Sequence, residues 1–382
     1  MLLINGCTGN SSVLSDGNQD TVADLGQTEN VLPDASILDE SRPLDMPGDR
    51  SMPETISHDG PSFDAPQTKP ILLAKMLGAV DLRGIALDDT YVYWTNFVEG
   101  TGSTPIVVAT PKVGGNPYSY FPLLLSGGSG SLDTWALGIA ADGAALYWTH
   151  GSADGRVLRG GFGMGVPKVI SDTEKEDHPY AVAVNKKKEV FWLTGNAVKK
   201  YDPVSQEVKI LATNSLPLTS WWHPFALAVD DDFVYWVDSS NDSVMRVKTD
   251  GTGLLTLVSD QPAPQGLCVD DLANGYVYFS VRGTYSLGNQ DGGIRRVLKT
   301  GGNAISLMTG ESGPMAVAVD KSFVYWSRWG KAGTKSGAVR KMSLGGGNYF
   351  DIASGLSTPY SLAVDATRVY WVDYDVVMAA PK

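Results

Sequence analysis

A pair of adjacent aromatic residues recurs seven times along this chain: Tyr93-Trp94, Tyr147-Trp148, Phe191-Trp192, Tyr235-Trp236, Tyr278-Phe279, Tyr325-Trp326 and Tyr370-Trp371. Successive pairs stand 43 to 54 residues apart. Each follows a short apolar run that ends in Asp88, Asp142, Asn185, Asp230, Asp270, Asp320 or Asp365. A phased repeat of this length means stacked supersecondary units, each unable to bury its apolar faces alone.

The units are built of strands. Their apolar and polar residues alternate with period 2, and Asp, Asn and Gly clusters separate the runs. One complete unit, residues 225–260, reads as four strands A to D joined by hairpins: FALAVDD, DFVYWVDSSND, SVMRVKTDGTG and LLTLVSD. Strands A and B are apolar on both faces, as in a sheet packed between two neighbours. Four-stranded units of this size arranged around an axis are propeller blades. The last unit ends at VVMAAPK, without a fourth strand, while PILLAK (70–75) precedes the first strand A and matches the other fourth strands, such as VKILAT. We therefore expect residues 71–76 to supply strand D of the seventh blade. The expected fold is an all-β, seven-bladed propeller over residues 71–382. Closure hides edges that would otherwise be left unpaired. The aromatic pairs are expected in the core between blades, where a tryptophan removes the most apolar surface from water.

The motifs YWTN (93–96), YWTH (147–150) and YWVD (235–238 and 370–373) resemble those of the YWTD-repeat propellers of the low-density-lipoprotein-receptor class. That resemblance implies an extracellular, non-enzymatic platform for proteins or peptides. The strand-A openings, such as HPYAVAV (178–184), also resemble NHL and virginiamycin-lyase-like propellers, some of which are enzymes.

Ahead of the repeats, charge is uneven. The chain carries a net charge of −12, most of it from the acidic residues of positions 1–70. Residues 8–70 are rich in Asp, Ser, Pro and Gly and poor in aromatics, which reads as a disordered acidic linker. The repeat region is nearly balanced, with no basic stripe to neutralise phosphates, so nucleic acid is not expected as a partner. Residues 1–7, MLLINGC, resemble the end of a bacterial lipoprotein signal sequence, which makes Cys7 the expected lipidation site. The expectation is an extracytoplasmic protein at the outer membrane or cell surface, touching the membrane through a lipid anchor only. Cys268, in the run GLCVDD, reads as a small buried hydrophobe.

Function is sought in the loops. The A–B and C–D turns are short and alike, whereas the B–C and D–A loops vary in length and composition, and both of these lie at one end of an up-and-down blade. Ligand-binding candidates on that face are Trp221, Trp222, His223, His178, His150, Asp238, Arg328, Trp329, Tyr360 and Asp373. Trp135, Tyr180, Phe225, Tyr285 and Tyr374 accompany them, with Arg83, Asn96, Gln265 and Arg282 among the polar groups. Aromatic side chains beside mixed polar groups around a concavity suit recognition of a protein, peptide or glycan. No metal-ligand spacing or nucleophile motif is present, so no metal, cofactor or catalytic residue is expected and the chain reads as not an enzyme. The alternative is a propeller lyase or hydrolase that uses the histidines of the same face.

Overall fold

The computed structural model describes residues 69–76, 81–98, 107–121, 134–150, 155–161, 164, 166–171, 178–213, 226–272, 275–284, 291–330 and 334–382. Cys7, residues 8–68 of the acidic linker, Phe225, Tyr285 and the WWH run of Trp221, Trp222 and His223 lie outside these residues.

The first blade is β2 (Asp81–Leu87), β3 (Tyr91–Val98), β4 (Val107–Pro111) and β5 (Tyr118–Phe121), after β1 (Ile71–Lys75). The second is β6 (Thr134–Ala141), β7 (Leu146–His150), β8 (Arg156–Gly160) and β9 (Lys168–Val169). The third runs through β10 (Ala181–Val184), β11 (Val190–Leu193), β12 (Ala197–Tyr201) and β13 (Val208–Thr213). Then come β14 (Leu227–Val229), β15 (Phe233–Asp238), β16 (Ser243–Lys248) and β17 (Leu255–Val258). Blade five holds β18 (Pro264–Val269), β19 (Tyr276–Val281), β20 (Gly293–Leu298) and β21 (Ile305–Thr309). Blade six holds β22 (Pro314–Val319), β23 (Phe323–Arg328), β24 (Gly337–Ser343) and β25 (Tyr349–Leu356). The last blade is β26 (Pro359–Val364), β27 (Arg368–Asp373) and β28 (Val376–Pro381), completed by β1 in the order β1-β28-β27-β26. Seven four-stranded antiparallel blades therefore form the ring, as the repeat predicts, and the closing strand comes from residues 71–75. Blades one and two also join through Phe97↔Trp135 and Val98↔Thr134.

The aromatic pairs fill the spaces between blades. Trp94, Trp192, Trp236, Trp326 and Trp371 are all buried, as are Tyr235, Tyr278, Tyr325 and Tyr370. The two members of a pair point to opposite faces of strand B, so one faces each neighbouring blade. Tyr235 sits in the cluster with Leu267 and Phe279 of the next blade, while Trp236 sits with Ala183 and Phe191 of the blade before. Cys268 is fully buried in the same way.

The aspartate that ends strand A has three tasks. In blade four, Asp230 Oδ1 accepts the N–H groups of Asp232 (3.0 Å) and Phe233 (2.8 Å), closing the A–B turn. Its Oδ2 accepts the hydroxyl of Tyr235 at 2.9 Å. The same arrangement recurs at Asp88, Asp142, Asp320 and Asp365 with Tyr93, Tyr147, Tyr325 and Tyr370. Blade three lacks the tyrosine hydroxyl, carrying Phe191, and there the residue is Asn185, which turns to Glu189 instead (2.7 Å). The third task is to hold a lysine from the next blade: Lys299 reaches Asp230 (3.1 Å), Lys382 reaches Asp320 (2.6 Å) and Lys112 reaches Asp365 (2.8 Å). Burial, followed by the nearby Asp142 charge, pushes the Tyr147 hydroxyl up to about 12, so it remains a donor at any ordinary pH.

Candidate functional site

The seven A strands line an axial cavity of about 180 Å³. Its shape begins with a break in the ladder. In β2 the partners are Leu82↔Asn96 and then Ile85↔Trp94, so Arg83 and Gly84 bulge out of register. The same bulge falls between Ala136 and Ile139, Pro264 and Leu267, Pro314 and Val317, and Pro359 and Leu362. A bulge re-aims a side chain. Here it turns Arg83, Leu137, Gln265, Met315 and Tyr360 toward the axis, with Tyr180 at the matching position of blade three.

A bulge frees backbone groups, which must be paired elsewhere. In four blades the residue after the aromatic pair supplies a hydroxyl for this. Thr95 Oγ1 accepts Gly84 N–H (2.8 Å) and donates to the carbonyl of Leu137 in the next blade (3.1 Å). Thr149 links Gly138 N–H to Tyr180 O, Ser280 links Gly266 N–H to Met315 O, and Ser327 links Ala316 N–H to Tyr360 O. The residue after the bulged one must be small, because the neighbouring A strand presses on it. A Cβ at Gly138 would stand 2.8 Å from Tyr180 O, and one at Gly266 would stand 2.2 Å from Met315 O. Replacing Thr95 by Val should leave a buried N–H and a buried carbonyl unpaired and cost about 1–3 kcal/mol in urea unfolding, while Thr95→Ser should recover most of it.

The mouth is set by a few contacts. The Arg83 guanidinium lies over the Tyr360 ring, 4.6 Å from its centroid, and its Nη2 donates to Asp81 Oδ2 at 2.5 Å. Burial pushes the Asp81 carboxyl above its ordinary range, against the opposing pull of Arg83. The His178 ring stacks on Tyr180 with centroids 6.3 Å apart. His178 takes a left-handed φ of 48° directly before Pro179, and Ala263 (φ 50°) and Gly313 (φ 62°) repeat that backbone before Pro264 and Pro314. Only glycine adopts it without strain.

The sequence candidates divide accordingly. Tyr360 lines the mouth, and His178 touches it through Tyr180. Asp238 and Asp373 are turn builders. Asp238 accepts N–H groups of Ser240 and Asn241, and Asp373 accepts those of Ser357 (3.1 Å) and Thr358 (2.6 Å). Arg328 stands 3.3 Å from the buried carboxylate of Glu311, which also pairs with Arg340 at 2.7 Å. Trp329 is half-buried, and its backbone N–H donates to Gly313 O. His150 ends β7, where burial and then Arg156 lower its pKa and favour the neutral imidazole. These residues are spread around the ring rather than gathered in one constellation. Among the described residues no group of three His, Cys, Asp or Glu side chains could hold a metal ion. Leu137 and Met315 belong to the mouth and were not among the candidates. Their signal was present, because each mouth residue directly precedes the small residue of strand A, as in RGI, LGI, YAV, QGL, MAV and YSL.

Residues 232–270 match the low-density lipoprotein receptor repeat class B, which bears out the resemblance of the YWVD unit. No curated protein matches the chain. Among solved structures, virginiamycin B lyase from Staphylococcus aureus is similar at 16% identity, covering 82% of this chain and 99% of that one, with a TM-score of 0.62. YCF48 bound to D1 peptide is similar at 12% identity over 84% of this chain and 96% of that one, with a TM-score of 0.58. An ancestral GH74 enzyme is similar at 13% identity over 79% of this chain and 48% of that one, with a TM-score of 0.60. At these identities the likeness is one of fold. It nevertheless corrects the expectation that the chain is not an enzyme: this architecture carries catalysis in two of these neighbours, so enzymatic activity stays open.

Proposed function

We propose that the face bearing the B–C and D–A loops receives a peptide segment of a protein partner, seated on the axial mouth. The supporting observation is the bulged register of the A strands. It commits Arg83, Gln265, Met315 and Tyr360 to the cavity, with Tyr180 at the matching position of blade three, whereas the aspartates of the A–B face are occupied by turn, tyrosine and lysine bonds. Tyrosine, arginine and methionine around a concavity are the residue types enriched at protein interfaces. Rigid aromatic side chains there contribute much of the binding energy for little ordering cost.

Selection of peptides from a displayed random library on the purified chain tests this. Tyr180→Ala and Tyr360→Ala should each weaken the selected peptides at least about tenfold, close to 1.4 kcal/mol. Asp231→Ala and Asn348→Ala, on the opposite face, should change binding less than about twofold, a difference of only a few tenths of a kcal/mol. Binding that survives both tyrosine changes would overturn the proposal. Conversion of a captured ligand that depends on His178 or His150 would make this face an active site instead.

A further inference from the structure

Resting on that reading, we infer that the peptide enters the mouth end-on and that Arg83 receives its C-terminal carboxylate. Three observations lead there. Arg83 is the one charged side chain among the described residues lining the cavity; the rest are aliphatic residues, small residues, Met315, Gln265, Ser361 and the two tyrosines. The guanidinium already bonds Asp81, but such a fork can hold two carboxylates at once, as Arg340 does with Glu311 and Asp351. In a mostly apolar funnel its N–H donors act through a field screened less than in water.

The guanidinium is also preorganised. The bulge at Arg83-Gly84 sets its direction, Tyr360 supports its flat face, and Asp81 holds Nη2. A fork held in this way loses little side-chain freedom when it takes up a carboxylate.

Size supplies the third argument. Seven A strands close the cavity to about 180 Å³, with backbones already in contact at Gly138 and Gly266. A terminal residue can descend into such a space. An internal segment, which must enter and leave, can only cross above it. The side chain of the last residue would then meet Leu137, Met315 and Tyr180, so an apolar terminal residue is favoured.

The experiment uses one random peptide library on the full chain in two forms, free C-terminal acid and C-terminal amide. The acid form should bind at least about tenfold more tightly, a difference of 1.4 kcal/mol. Arg83→Gln should abolish the preference, so that acid and amide peptides bind alike. Arg83→Lys should keep part of the preference, which separates loss of charge from damage to the fold. Equal binding of acid and amide peptides that still depends on Tyr180 and Tyr360 would overturn this inference and leave the peptide-binding reading standing. Amidated peptides rich in Asp or Glu that bind as well as free acids would overturn end-on insertion, since the carboxylate would then come from a side chain. Absence of any binder from either library would remove both readings.

Discussion

A chain beginning at Lys69 will keep its ring, and one beginning at Leu77 will be less stable by several kcal/mol. The two differ by β1, which pairs with β28 through Ile71↔Ala379, Leu72↔Met378, Ala74↔Val377 and Lys75↔Val376. Met76 N–H adds a bond to Asp375 O at 2.8 Å. Leu73 and Ala74 are 4% and 5% exposed and share a core cluster with Leu82, Trp94, Tyr370 and Val377. Leu73 also fills a repeated position. It lies against Gly114 of the next blade's C–D turn, as Leu211 lies against Gly251 and Leu307 against Gly346. Removing β1 therefore uncovers Val377 and Ala379, which are now fully buried, and leaves β28 as an open edge. Burial of one leucine side chain alone is worth about 1.5–3 kcal/mol. Within the full-length chain, Leu73→Ala should cost about 2–4 kcal/mol and Ile71→Ala, at an exposed position, much less. Urea unfolding of the four proteins measures this. Equal midpoints for the two truncations would show that the seventh blade does not depend on β1.

Substitution of Asp365 should give the other large effect, with a pH signature. Its Oδ1 accepts the N–H groups of Thr367 and Arg368, both within 3.0 Å. Its Oδ2 takes Tyr370 Oη at 2.9 Å and Lys112 Nζ at 2.8 Å. The lysine belongs to blade one and the aspartate to blade seven, so the pair spans the seam that β1 closes. Burial works to raise the Asp365 pKa. The Lys112 hydrogen bond and the backbone N–H donors outweigh it and hold the carboxyl at about 2, below the ordinary 3.8. A depressed carboxyl contributes stability that is fully present above its unfolded value. That stability is lost as pH falls from about 4 through the folded value near 2, and it amounts to about 2 kcal/mol. Asp365→Ala should cost about 3 kcal/mol at pH 7, because it also strands a largely buried lysine. The gap between native and variant proteins should narrow steadily below pH 4. A gap independent of pH would mean that the ion pair contributes nothing and that only the turn bonds matter. Asp320 is lowered as well, with Lys382 as its partner, so an Asp320→Ala variant should show the same acid limb.

Much of this architecture could be read from the residues in order. Seven aromatic pairs with seven terminal aspartates or asparagines specify seven blades, since each pair needs a strand B and each aspartate a tight A–B turn. The covariation of Asp with Tyr, and of Asn185 with Phe191, is visible in the sequence because both partners lie five or six residues apart on one hairpin. Closure was readable too, because ILLAK repeats the pattern of a fourth strand where none was due. All of these are local signals or copies of one another, and repetition averages out the ambiguity of any single copy.

The mouth was harder to read. Candidates chosen for being aromatic or charged in variable loops included Asp238 and Asp373, whose carboxylates cap turns, and Arg328, which is tied to Glu311. Leu137 and Met315 escaped because only their place before the small residue of strand A marks them, and not their chemistry. Periodicity assigns a residue to a strand, but a two-residue bulge decides whether its side chain faces the axis. In four of the five bulged blades a hydroxyl of strand B bridges the bulge to the next blade, as Thr95 does between Gly84 and Leu137. The partners are 11 and 42 residues from Thr95, and no local pattern couples them. Strand identity, blade number and closure follow from short-range alternation and repetition along the chain. The direction of Arg83 and Tyr360, the lysines that cross three of the seams, and the width of the cavity arise only when seven sheets meet around one axis.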